Sequence, residues 1–275
     1  MSEIESLPVV VILGPRKCGT TTIHALLRGI DGVAIPWPKK EAHIFNQGPV
    51  PSAQLRAIAG DTWNNRSLVF VDISTHYFSE KQHWQAIRGT LSLKHVCVML
   101  RDPIDRTISH CLHQMRISGN WSDHFDAIVK SHPEVITDSL YSETIPALID
   151  FFGPDSVRLI PFRMIADSPE ALISRVVNHD GLEINSEIQN VPTERMNPAI
   201  RPALPMVYQA ARKAAGFMRP ILGSGFIEFF KPTIIRIWPQ RNLDQVKSSL
   251  LEQIEKSEVH RILVEEQDYL KTVLE

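Results

Sequence analysis

Gly14, Lys17 and Gly19-Thr20-Thr21-Thr22 combine flexible backbone, a mobile cation and three hydroxyls within nine residues. Those types at that spacing suit an anion, and a phosphate above all, because backbone N–H groups and an ammonium can converge on it. Arg101-Asp102-Pro103-Ile104-Asp105-Arg106-Thr107-Ile108-Ser109 is a second candidate. Its arginine offers a planar fork of donors, and a hydroxyl two turns along a helix adds another. Proton-transfer chemistry needs a different set. Glu41, His43 and His76 supply a carboxylate and two imidazoles, groups whose pKa values environment can tune. Cys18, beside Lys17, is either a thiol activated by a helix N-terminus or a small residue filling the loop.

These residues fall at element junctions. Val9 to Leu13 is an apolar, β-branched run and reads as a buried strand, ended by Gly14. Ile23, Leu26, Leu27 and Ile30 then recur at helical spacing, so Gly14 to Thr20 is a strand-to-helix loop. The phosphate loop of ATP-binding proteins requires Gly, four residues, then Gly-Lys-Ser/Thr. Here Gly14 is followed after four residues by Gly19-Thr20-Thr21, and the lysine stands two places before the second glycine. Further strands are expected at Val33–Pro36, Leu68–Ile73, His95–Leu100 and Val157–Pro161, with helices between them. Asp102 reads as an N-cap and Pro103 as the first helical residue. The order βαβαβαβα implies a parallel sheet with helices on both faces. Ligands of such sheets bind beyond the carboxyl ends of the strands, where all the candidate residues lie. Gly181 to Pro205 reads as a long loop, and 210–238 as an apolar stretch broken by charges and prolines.

The 275 residues are 43% hydrophobic and 22% charged, as in an ordinary globular chain of one large or two small domains. A formal charge of −2 provides no global field for nucleic acid, so any anion site must be local. Cys18, Cys97 and Cys111 show neither metal spacing nor a disulfide framework, which fits a reducing compartment. No leader or membrane-spanning run is recognisable in the sequence, and a cytoplasmic location is the expectation.

The loop GPRKCGTTT resembles the 5′-phosphosulfate loop of sulfotransferases that use the activated sulfate donor 3′-phosphoadenosine 5′-phosphosulfate, PAPS. The Arg-Asp-Pro segment with its later Arg and Ser is similar to the 3′-phosphate-binding segment of the same family. KEAHIF, around Glu41, is similar to a segment of carbohydrate sulfotransferases of the heparan sulfate type, in which the Glu is the proposed base. DISTHYF, from Asp72, is placed like that family's Glu-Lys-Thr-Pro-x-Tyr-Phe, with Ile73 for its lysine and Thr75 for its proline. Ser74-Thr75-His76 partly resembles the Lys-Thr-His of the cytosolic small-molecule enzymes. The resemblance spans about 9–201, and 202–275 is matched only loosely.

The resemblance implies an α/β, P-loop-NTPase-like three-layer fold with a central parallel sheet of about five strands. It implies one sulfotransferase domain over 1–275, with a nucleotide-binding core and a helical C-terminal extension from 202. PAPS would be the co-substrate and adenosine 3′,5′-bisphosphate the product, with no metal. Arg16, Lys17, Cys18, Gly19, Thr20, Thr21, Thr22, Arg101, Ser109 and Arg201 would bind the donor. Arg201 lies where the family has a loop covering the 3′-phosphate, although the usual Lys-Gly pattern is missing. Lys17 would also act in catalysis, Glu41 as first choice of base, His76 as second, and His43 would orient either or touch the acceptor. Glu41 also reads as an exposed turn charge, and His76 as a satisfied core histidine. The acceptor would be a carbohydrate, lipid or small metabolite, with 210–238 forming an acceptor pocket, a homodimer contact or a membrane-surface contact. Two rivals stand beside this reading: a phosphate-loop nucleotide kinase, and a non-catalytic adaptor that keeps the fold.

Overall fold

Five short strands, β1 (Val9–Ile12), β2 (Val33–Ala34), β3 (Val69–Ile73), β4 (Leu93–Leu100) and β5 (Val157–Pro161), pair in parallel in the order β2-β3-β1-β4-β5. The computed structural model describes residues 7–38, 40–64, 66–121, 124–180, 182–184 and 243–275. Lys39, the 195–201 stretch with Arg201, and 210–238 lie outside the described residues. This is the α/β, P-loop-like arrangement that the resemblance implies.

The strands are parallel and central because their residues are apolar on both faces. β1 and β3 are buried at every position. Val9, Val11 and Leu13 enter one core with Phe70, Tyr77, Trp84, Ile145 and Leu148. Val10 and Ile12 point the other way, with Ile23, Leu27, Leu172 and Val176. Side chains alternate along a strand, so each strand feeds both cores and helices must cover both faces. The helices that do so include α1 (Thr20–Arg28), α2 (Ser52–Ala59) and α3 (Trp84–Arg88). After β4 come α4 (Pro103–Ser118), α5 (Phe125–Ser131), α6 (Glu134–Thr137), α7 (Tyr141–Phe152), α8 (Met164–Asp167) and α9 (Pro169–Val177). Helices Leu243–Glu255 and Val259–Leu274 are the described part of the expected extension from 202.

Several element ends differ from the sequence expectation: β3 begins at Val69, one residue after Leu68, and β4 at Leu93, two residues before His95. β2 stops at Ala34 because Ile35 leaves the ladder: its N–H donates to Thr62 Oγ1 at 3.0 Å, and the Thr62 hydroxyl donates to its carbonyl at 2.7 Å. The helical connection expected between β3 and β4 begins as a 3₁₀ turn, Lys81–His83, before α3.

The chain forms two compact units. The first holds the whole sheet and, among the described residues, 7–106, 136–184 and 263–275. The second comprises Thr107–Val135 and, among the described residues, 243–262. No helix among the described residues is long and apolar enough to cross a membrane.

Candidate active site

The sheet reverses its winding beside β1. The connection from β1 runs out toward β2 and β3, while β4 leads to β5 on the other side. The crevice at the carboxyl ends of β1 and β4 is therefore a topological switch point. The loop from Gly14 enters it from one strand and Arg101 from the other.

Close packing shapes that loop. A Cβ on Gly14 would come within 2.9 Å of Thr20 Cγ2 and 3.3 Å of Met99 Cβ, so only glycine lets the loop hug β4. Gly19 caps α1 at φ 80°, with Phe162 and Ile165 filling the space a side chain would need. Lys17 takes φ 75°, a left-handed conformation unusual for lysine and typical of strained functional loops. No side chain among the described residues caps the N-terminus of α1. The Thr22 N–H donates to the Gly19 carbonyl at 2.9 Å, the amides of Thr20 and Thr21 precede the helical ladder, and the dipole favours an anion there.

Arg101 ties the crevice together. Its Nη1 donates to the Lys17 carbonyl at 3.2 Å, and its guanidinium carbon lies 4.8 Å from the Phe162 ring centre. Its Nε is buried and has no hydrogen-bond partner among the described residues. A buried donor atom left without an acceptor costs free energy unless a ligand accepts from it. Asp102 caps α4, its Oδ1 accepting from the Asp105 N–H at 2.9 Å.

The remaining donor-side residues divide. Arg106 is fully buried and structural: Nε donates to Ser139 Oγ at 2.5 Å and Nη1 to the Arg16 carbonyl at 3.3 Å. The Arg16 side chain pairs with the buried Asp138 at 3.1 Å. Cys18 is fully buried, and burial pushes its thiol up to about 11 although Arg106 and Arg101 pull it down, so the loop holds a thiol and not a thiolate. Thr20 is buried, while Thr21 and Thr22 are half-buried on the first turn of α1. Ser109 lies half-buried on α4 in the second unit.

The loops after β2 and β3 meet at the same sheet edge. Glu41 Oε1 accepts from Lys40 Nζ at 2.9 Å and from the Thr75 hydroxyl at 3.4 Å. Burial acts to raise the Glu41 pKa, but Lys40 and these hydrogen bonds outweigh it and hold the carboxyl below its usual range. His43, exposed and left-handed at φ 52°, places Nδ1 3.1 Å from His76 Nδ1. His76 Nε2 lies 3.1 Å from Asn46 Oδ1. Burial first, then the charge of His43, lowers His76 to about 4, so it is neutral at pH 7. The structure thus brings Glu41, His43 and His76 to one end of the sheet edge.

Two residues outside the candidate set drawn from the sequence lie here. Lys40 Nζ also donates to Thr20 Oγ1 at 3.0 Å, a direct link between the phosphate-type loop and Glu41. The concentration of charge in Lys39-Lys40-Glu41 was the available signal. Asp72 is fully buried at the end of β3, and neither carboxylate oxygen has a hydrogen-bond partner in good geometry among the described residues. Burial pushes it up to about 7; the nearby Ser74 hydroxyl pulls it down, and the Glu41 charge adds to the rise. A charged residue closing an apolar strand run was its signal.

No family model matches the chain, and no curated protein matches its sequence. Among solved structures, it is similar to a sulfotransferase from Alicyclobacillus acidocaldarius, at 21% identity over 78% of this chain and 92% of that one, with a TM-score of 0.51. It is also similar to the sulfotransferase domain of the Synechococcus PCC 7002 olefin synthase (12% identity, 71% and 81% covered, TM-score 0.45). A sulfotransferase domain from the curacin biosynthetic pathway aligns at 12% identity over 76% of this chain and 98% of that one, with a TM-score of 0.42. The first of these shows the fold: the chain has the architecture of a sulfotransferase.

Proposed function

We propose that this protein transfers a sulfuryl group from PAPS to a hydroxyl or amine of a carbohydrate, lipid or small-metabolite acceptor. The observation that carries the reading is the buried Nε of Arg101, without a hydrogen-bond partner among the described residues, whose Nη1 is bonded to the carbonyl of the left-handed Lys17 of the loop. A phosphorylated ligand satisfies that donor and the uncapped amides of α1 together, so the residues fit the donor's 3′- and 5′-terminal groups. When bound, PAPS supplies an activated sulfuryl group to an incoming nucleophile.

The chain's own residues then divide the work. Lys17 and the N–H groups of Gly19 to Thr21 stabilise negative charge on the departing phosphate. Arg101 orients the nucleotide by its remaining donors. Glu41 takes the acceptor proton on its carboxylate, which Lys40 keeps ionised. Lys40, bonded to Thr20 and Glu41, holds the base in register with the loop. His43 orients the acceptor, and neutral His76 is the second candidate for the proton.

Calorimetry of adenosine 3′,5′-bisphosphate without magnesium tests the reading in wild type, Lys17→Ala and Arg101→Ala. Micromolar binding that both substitutions abolish or weaken at least tenfold supports it. Binding of ATP–magnesium in place of the bisphosphate replaces it with the kinase, and binding of neither replaces it with the adaptor.

A further inference from the structure

His76, Glu80 and His83 stand at i, i+4 and i+7. The backbone between them coils tightly enough to stack them: the Glu80 N–H donates to the His76 carbonyl at 3.1 Å, and the His83 N–H to the Glu80 carbonyl at 3.1 Å. Residues at this spacing share one face of a helical turn. One ligand-type atom from each of the three lies within 4.8 Å of the other two. His83 Nε2 and Glu80 Oε2 are 3.2 Å apart. Two donors bound at ~2.0–2.1 Å to a tetrahedral zinc ion stand about 3.3–3.4 Å apart. The pair therefore already has the separation of two edges-sharing ligands, and His76 completes a face.

We infer that His76, Glu80 and His83 form a binding site for a single divalent cation of the zinc class. The donor set of two imidazoles and a carboxylate is of the kind zinc takes, with three protein ligands leaving a position for water or a substrate oxygen. The surroundings fit the assignment. His76 is buried, while Glu80 and His83 are half-buried, so the ion has an entry path. Asn46 and His43 both contact the His76 ring, so one of its nitrogens can coordinate while the other keeps a hydrogen bond. Such outer partners fix the orientation of a ligating imidazole. Tyr77 packs against both rings, 4.0 Å from His76 and 5.4 Å from His83 by ring centres, while the two imidazoles lie 5.6 Å apart, and Trp84 Nε1 donates to the Tyr77 carbonyl at 2.7 Å. The turn is thus braced from behind by buried aromatics and needs no metal to form. An ion here would take His76 out of proton transfer and leave Glu41 as the base. It departs from the metal-free chemistry that the sequence resemblance implies.

The test uses the full chain, free of any purification tag and stripped with a chelator. Zinc is titrated by calorimetry, and cobalt by visible absorption, which reports a low-coordinate site directly. The expected result is one equivalent bound at micromolar affinity or tighter, with cobalt absorption. His83→Ala is expected to weaken that equivalent at least 100-fold, and Glu80→Gln at least tenfold. His132→Ala, in the separate His132–Glu134 pair, leaves it unchanged. Wild type that binds zinc no tighter than millimolar overturns the site, as do Glu80→Gln and His83→Ala proteins that titrate like wild type. Circular dichroism checks each variant, and Glu80→Gln, at a half-exposed position, carries the test if His83→Ala does not fold. Bisphosphate binding is read at Lys17 and Arg101, so the sulfuryl-transfer reading and the metal site stand or fall separately.

Discussion

The crevice between β1 and β4 and the loops after β2 and β3 share a sheet edge but hold their groups by different means. In the crevice the groups are backbone amides, a lysine and an arginine, and their positions follow from two left-handed residues and a Gly14 packed against Met99. In the loops the groups are carboxylates and imidazoles, and their surroundings set their state: burial raises Asp72 to about 7 and lowers His76 to about 4, while Lys40 outweighs burial and holds Glu41 low. One region presents amide donors and cationic side chains; the other sets an ionised Glu41 beside a neutral His76 at pH 7. An anionic donor suits the first, and proton transfer to and from an acceptor suits the second.

The sharpest way to break that division is Glu41→Gln. Turnover, measured as release of adenosine 3′,5′-bisphosphate from PAPS with a competent acceptor, is expected to fall about 10²–10⁴-fold, the usual worth of a general base. Bisphosphate affinity is expected to stay within a few-fold of wild type. A variant that turns over at the wild-type rate removes Glu41 from the proton path.

Lys17→Ala is expected to lower turnover by about 10²–10³-fold, the cost of losing one preorganised electrostatic contact. Unlike Glu41→Gln, it is expected to weaken the bisphosphate as well. Equal affinity in the two variants would merge the regions. Arg101→Ala comes next: a charge-assisted hydrogen bond is worth about 1.5–3 kcal/mol, so calorimetry should read a tenfold to 100-fold loss of bisphosphate binding.

The smallest effect is on stability. Asp72 has a folded pKa raised above its unfolded value, so its contribution is fully present below about pH 4 and is lost as pH rises through about 7. His76 is lowered, so its contribution is present above its unfolded pKa and is lost as pH falls toward about 4. Asp72→Asn is therefore expected to raise the melting temperature by several degrees at pH 8 and by little at pH 4.5. An equal shift at both pH values would mean that Asp72 does not titrate with folding.

What the sequence made legible was local. The β-branched run from Val9 and the stripe from Ile23 give a strand and a helix without reference to any distant residue, and Gly14 to Thr20 is then a loop by elimination. Arg101-Asp102-Pro103 is equally self-contained, with its cap and first helical residue adjacent. What stayed hidden depends on contacts across the sheet edge. Lys40 matters because it reaches Thr20, twenty positions away, and the Asp72 pKa depends on burial that no spacing reveals. His83 escaped notice because the coil joining it to His76 passes through two short 3₁₀ turns, which leave no apolar periodicity.

Cys18 and Cys97, both fully buried and with thiols pushed up to about 11 and about 12, give the chain two internal clocks. Neither reacts with a thiol reagent until the backbone around it opens, so labelling rate measures opening free energy at each place. Cys97, central in β4, reports loss of the sheet. Cys18 reports the phosphate-type loop alone, and a bound nucleotide that braces the loop would slow its clock while the other keeps time.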